Sequence, residues 1–133
     1  MVFWVVASAI VLVLILVAAL AAYVLNPPLP QTANIQILEA QPGICPSNNT
    51  TACRFSPLSS KIPFGGSVIW FNNGRLNHTV TWGTLTSGLP VGLADSGPVV
   101  PQAAYIISNV RISGTLSYHC SIHPWMTGTL TVQ

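Results

Sequence analysis

The chain has 133 residues, of which 50% are hydrophobic and only 5% charged, with four Lys or Arg against two Asp or Glu and a formal net charge of +2. High apolarity with little charge excludes a disordered chain, and this length holds one ordinary domain and little more. Four basic residues are too few to line a nucleic-acid groove, where clustered Lys and Arg must face phosphates.

Residues 1–25 carry no charged side chain. At about 1.5 Å per residue, a helix of about 24 residues reaches roughly 36 Å, enough to cross a hydrocarbon core of about 30 Å with some tilt. Trp4 and Tyr23 stand near the two ends, where amphipathic rings favour the membrane interface. Ala18-Ala19-Leu20-Ala21-Ala22 offers small residues for signal-peptide cleavage. The apolar run is nevertheless longer than the roughly 7–15 residues of a signal-peptide core, and no Lys or Arg precedes it. The segment is therefore predicted to be a retained, single-pass transmembrane anchor; a helix packed inside a complex fits the same pattern. Asn26-Pro27-Pro28-Leu29-Pro30 ends it, because proline lacks an N–H and disfavours helix in the residue before it. Residues 26–33 are predicted to be an extended, proline-stiffened linker.

Residues 34–133 carry every charge and all three His. Short runs rich in Val, Ile, Thr and aromatics recur between Pro and Gly, with no long 3.6-residue period. Strands are predicted over residues 34–39, 67–72, 78–82, 103–108, 114–120 and 128–132, and together they suggest an all-β, antiparallel sandwich. Cys45 and Cys53 lie eight positions apart in a polar loop. A disulfide between them would close a short ring, worth on the order of 2–3 kcal/mol, and would suit an oxidising, extracytoplasmic face. Asn48, Asn49 and Asn77 each open an Asn-x-Thr sequon, compatible with that face.

The chemistry concentrates in Tyr118-His119-Cys120-Ser121-Ile122-His123-Pro124-Trp125-Met126. A thiol, an imidazole and a thioether fall within seven positions there. Upstream, Asn77-His78-Thr79-Val80-Thr81 puts another His at the head of a predicted strand. His78, Cys120 and His123 could form a trigonal metal set with Met126 as a weak axial ligand. Soft sulfur with borderline nitrogen suits copper cycling between +1 and +2. Zinc fits less well, because it prefers a further Cys, His, carboxylate or water to a thioether. His119 points away from the face shared by Tyr118 and Cys120 in a strand, and is read as a non-ligand.

This hairpin and the His78 segment resemble the cupredoxins, the type 1 blue copper proteins. The short Cys-x-x-His-x-x-Met loop is most similar to the amicyanin/plastocyanin-like members. The strand at 66–71 and Asp95-Ser96-Gly97 add to the likeness, which covers roughly residues 34–133. The resemblance implies an eight-stranded, two-sheet Greek-key barrel or sandwich holding one type 1 copper on His78, Cys120, His123 and Met126. It further implies outer-sphere transfer of single electrons rather than enzymatic catalysis, with no small-molecule substrate and no nucleic acid. The expected partner is a membrane redox complex such as a respiratory oxidase or reductase, met on the extracytoplasmic side of the cell membrane. A copper-binding structural or electron-entry subunit of a larger membrane complex, or a copper-delivery protein, are the alternatives. Two features depart from the family: the predicted tether and the Cys45–Cys53 insertion. A third concerns tuning. Amicyanin has proline two residues after the ligand Cys, whereas this chain has Ile122, so the Ile122 and Thr79 N–H groups are both expected to donate to the Cys120 sulfur.

Overall fold

Alternating burial along the strands builds the fold. Ala33, Ile35 and Ile37 point inward from one strand, Val68, Trp70 and Asn72 from another, and Leu116, Tyr118, Leu130 and Val132 from the final hairpin. The computed structural model describes residues 2–25, 28–49, 51–83 and 95–133, with helix side chains from residue 10 onward. Helix α1 spans Val2–Leu25. The strands are β1 (Thr32–Glu39), β2 (Cys53–Ser56), β3 (Ser59–Ile62), β4 (Ser67–Asn72), β5 (Thr81–Trp82), β6 (Ala104–Ile107), β7 (Gly114–His119) and β8 (Thr127–Val132). They form two four-stranded sheets, ordered β2-β1-β4-β6 and β3-β8-β7-β5.

The all-β, two-sheet expectation holds, with several corrections. The sandwich is not purely antiparallel: β1 pairs with β4, and β3 with β8, in parallel. The chain turns from β1 into β2, crosses to the other sheet as β3, and returns as β4 running beside β1 in the same direction. Strands β2 and β3 are additions to the expected set. Each is four residues long, and Pro57 and Leu58 separate them, so neither carries an apolar run long enough to signal a strand. The first strand begins at Thr32, two residues inside the expected linker, because Thr32 and Ala33 already pair with Ser67 and Val68. The strand expected over 78–82 is a ladder only at Thr81–Trp82. Before it, the Thr79 N–H goes to the Cys120 sulfur and the Val80 N–H to the Ser96 hydroxyl, so no ladder can form there.

The segment expected to be an anchor is helical as α1. Among the described residues no helix is long and apolar enough to cross a membrane, so the crossing itself is not shown. The side chain of Trp4, the residues Asn26 and Pro27, and Thr50, which the sequons at Asn48 and Asn49 share, lie outside the described residues. The bridge between Cys45 and Cys53 is present, with Cα atoms 5.4 Å apart.

The two ends of the sandwich differ. Gly114 pairs with Val132 at one end, and His119 pairs with Thr127 at the other. Strand β1 starts at the first end, where Gln31 accepts from the Ser67 N–H, and finishes at the second, where Glu39 approaches His78. From Thr32 to Glu39 the strand takes seven steps of about 3.3 Å, which separate the ends by roughly 23 Å. Residues 28–31 thus enter at one end, and the candidate ligands gather at the other.

Between the sheets, Trp70, Tyr118, Trp82 and Phe55 stack edge to face with ring centroids 4.9–5.6 Å apart, a packing that adds to simple area burial. Tyr118 is held against Gly128 of β8, where a Cβ would run into the phenol ring. Burial pushes the Tyr118 phenol up to about 12, so it stays neutral. Gly128→Ala should therefore overpack this cluster and lower stability by about 1–3 kcal/mol, read as an earlier urea midpoint. An unchanged midpoint would show that the ring can move aside.

Candidate metal centre

The last hairpin folds its own loop. Cys120 follows β7 directly and Met126 precedes β8. The Cys120 N–H donates to the Met126 carbonyl at 3.1 Å, and the Met126 N–H donates to the His123 carbonyl at 2.9 Å. Pro124 restricts the turn between them. These bonds bring Cys120 and His123 back toward one another and bury Met126. His78 arrives from elsewhere: it forms an isolated bridge with Val99, with backbone bonds of 3.3 and 2.7 Å. Its position is steadied by the Asp95-Ser96-Gly97 turn, where Ser96 accepts from the Val80 N–H and Asp95 from the Thr81 hydroxyl, each at 2.8 Å.

The outcome is a compact donor set. The Cys120 Sγ lies 3.7 Å from His78 Nδ1 and 3.6 Å from His123 Nδ1. All three donor atoms lie within 4.8 Å of one another. Bonds of about 2.3 Å to sulfur and about 2.0 Å to nitrogen, opened by about 120°, would set those atoms roughly 3.7 Å apart. The spacing therefore fits one metal ion in a trigonal set. Cys120 and His78 are fully buried and Met126 is 1% exposed. Met126 completes a His–Cys–His–Met cluster, and a thioether beside a thiolate selects copper over zinc. His119 stays outside the cluster: it pairs with Thr81 and Thr127 in the sheet and lines an outer cavity with Leu58, Ser117, Pro124 and Thr129.

Thr79 ties the two ligand-bearing segments together. Its N–H donates to the Cys120 sulfur at 3.3 Å, and its hydroxyl accepts from the Ser121 N–H at 2.7 Å. The Ser121 hydroxyl adds a 2.9 Å bond to the same oxygen. The expected second donor is corrected: among the described residues, no hydrogen bond runs from the Ile122 N–H to the sulfur. The loop is fastened one residue earlier, to a hydroxyl, and Ile122 turns outward, 48% exposed. Proline in its place would therefore remove no hydrogen bond to the sulfur.

Sequence reading misses Glu39. It ends an alternating strand, where a polar residue is ordinary, and nothing local singles it out. In the fold its side chain is 1% exposed, and Oε1 sits 3.4 Å from His78 Nε2. Burial would raise its carboxyl, but amide donors from Gly43, Leu76 and Arg75, with His78, outweigh that and hold it below the usual carboxylate value.

Burial also depresses both imidazoles below the ordinary His value. For His78 the Glu39 carboxylate opposes the fall and His123 adds to it; for His123 only Glu39 opposes it. Neutral rings keep a lone pair available for a metal. A folded-state pKa below the unfolded one means that the unfolded chain binds protons first as pH falls. The stability of the metal-free protein should be fully present above pH about 6.5 and decline below it, as a falling melting temperature. A melting temperature flat from neutral pH to the onset of carboxylate protonation would contradict this placement of the rings.

Comparison with known proteins agrees with this geometry. No family model matches the chain, and no curated protein does. Among solved structures, a purple cupredoxin from Nitrosopumilus maritimus superposes with a TM-score of 0.60 at 29% identity, covering 76% of this chain and 99% of that one. A reduced, Cu(I) amicyanin variant at pH 4 gives 0.56 at 21% identity, covering 77% of this chain and 82% of its own. A second Cu(I) amicyanin variant also gives 0.56 at 21%, with 78% and 84% covered. The amicyanin likeness speaks to the fold. Together with the His–Cys–His–Met cluster, these neighbours support one type 1 copper as the cofactor.

Proposed function

We propose that this chain is a membrane-anchored type 1 copper protein that carries single electrons to or from a redox partner, with His78, Cys120, His123 and Met126 as the copper ligands. The observation that carries the reading is the meeting of one sulfur and two imidazole nitrogens at 3.6–3.7 Å in a largely buried pole. Copper bound there supplies a one-electron couple between +1 and +2. The chain's own part is to hold the donors in one arrangement. Cys120 is fixed by the Thr79 N–H and by the loop's own backbone bonds, and His78 by the Val99 bridge and Glu39. Donors that do not rearrange keep the cost of changing redox state low.

His123 is the half-buried member of the set and marks the way out for an electron. Ile122 and Pro124 are exposed beside it, and Trp125 packs against its ring at 5.4 Å. This small apolar rim suits brief contact with a partner protein. Few charges surround it, so recognition depends on shape and apolar area more than on long-range steering. The buried thiol and His78 weigh against a copper-delivery role, which needs ligands that another protein can reach.

The anchor rests on the sequence: residues 1–25 are uncharged, and a 24-residue helix is about 36 Å long. With the linker entering opposite the metal pole, an anchored domain would present that pole away from its own bilayer, on the extracytoplasmic side that the disulfide favours.

Two measurements test the reading. Adding Cu(II) should produce an intense visible thiolate-to-copper absorption band and a type 1 EPR signal, and Cys120→Ser should abolish both. Colourless Cu(II) binding, or a band that survives the substitution, would refute thiolate ligation. Separately, the full chain should float with lipid vesicles after alkaline or high-salt washing. Release into the wash would refute the anchor and leave the copper assignment standing, while recovery of stable partner proteins after detergent extraction would favour the subunit role.

A further inference from the structure

We infer that Glu39 is a positioning residue for His78, and that the disulfide-closed loop and the turn after β4 hold it in place; this rests on the copper reading above. The chain has only two carboxylates among its side chains. Asp95 lies in an exposed turn, while the Glu39 side chain is 1% exposed. A carboxylate leaves water at a large penalty unless several donors meet it, and here they do. The Arg75 and Leu76 N–H groups each donate to Oε1 at 2.8 Å, and the Gly43 N–H donates to Oε2 at 2.5 Å.

The donors come from two segments. Gly43 lies two residues before Cys45, at the entry to the disulfide-closed loop, with a φ of +78° that favours glycine. Cys53 stands directly opposite Glu39 in the β1–β2 ladder. Arg75 and Leu76 belong to the turn leading to His78. Gly74 in that turn has no room for a Cβ, which would run into the Glu39 carboxylate. The Cys45–Cys53 insertion thus acquires a structural role, because it shapes one wall of the pocket that receives this carboxylate.

The consequence for His78 is directional. Nε2 faces Glu39 Oε1, and Nδ1 faces the Cys120 sulfur. A carboxylate requires the ring proton on Nε2, which leaves the lone pair on Nδ1 for the metal. The carboxylate also adds a negative charge beside the site. Cu(II) with one thiolate is +1 and Cu(I) is neutral, so a nearby anion favours the oxidised state and lowers the potential. Gln at this position keeps the shape, and its one amide oxygen in the place of Oε1 still accepts from Arg75 and Leu76; its NH2 replaces the oxygen that accepts from Gly43, so that one bond is lost together with the charge.

The experiment is a redox titration of the copper-loaded full chain and its Glu39→Gln variant, with absorption and EPR spectra of both. The variant should keep its type 1 band and shift the Cu(I)/Cu(II) equilibrium toward Cu(I) by about tenfold or more, a rise of about 59 mV per decade for one electron. A band retained with an equilibrium moved less than about twofold, or moved toward Cu(II), overturns the role of Glu39 and leaves the copper reading intact. A parent protein without the band removes both. Should the variant not fold, side-chain ¹⁵N NMR of the parent Cu(I) form decides. A His78 proton on Nε2 that resists solvent exchange supports the assignment. A ring protonated on Nδ1, or a freely exchanging Nε2 proton, overturns it.

Discussion

A thiol, two imidazole nitrogens and a thioether must converge from chain segments some forty residues apart, and the rest of the architecture serves that convergence. Three donors are local: a short loop between two paired strands delivers Cys120, His123 and Met126 through its own backbone hydrogen bonds. The fourth, His78, is not. It depends on a segment that leaves the sheet ladder to bridge Val99, and on Thr79, which fastens that segment to Cys120 and Ser121. Polar atoms that would otherwise complete a strand are redirected to the site. This explains why residues 78–80 do not extend β5 despite a composition that favours a strand.

Charge economy shapes the protein as much as packing does. With so few ionisable groups, a carboxylate whose side chain is covered by the surrounding turns is a conspicuous placement. It is possible because three backbone amides converge on it and glycine occupies the one position where a side chain would exclude it. The same arrangement links features that look unrelated along the chain: a disulfide loop, the end of the first strand, a turn and a histidine of the donor cluster. Below them the aromatic cluster of Trp70, Tyr118, Trp82 and Phe55 fills the space between the sheets and supports the loop-bearing hairpin.

Much of the fold is legible because its signals are local. β4, β7 and β8 alternate cleanly, and residues 67–72 coincide with the observed strand. β2 and β3 are not legible: four residues on either side of Pro57 offer too little periodicity, and the strands they pair with are set by the crossover between sheets. The parallel pairings escape for the same reason, since strand direction follows from that crossover and not from composition. The ligand candidates can be named because thiol, imidazole and thioether chemistry is uncommon in such close spacing. The sulfur hydrogen bonds are only half legible. Thr79 donates as expected, whereas Ile122 faces outward and the neighbouring Ser121 N–H goes to the Thr79 hydroxyl.

By itself, then, the sequence determined the uncharged helical segment, the β character of residues 34–133, the four candidate donors and the chemical class of ion that such donors prefer. Those properties belong to side-chain chemistry and short-range pattern, which need no knowledge of what lies across the fold. Tertiary structure alone decided which nitrogen of His78 faces the sulfur, that Glu39 stands behind that ring, and that the linker enters at the opposite pole. Each of these depends on strand register and crossover direction, which are set by pairing between residues far apart in the chain and leave no trace in any one stretch of it.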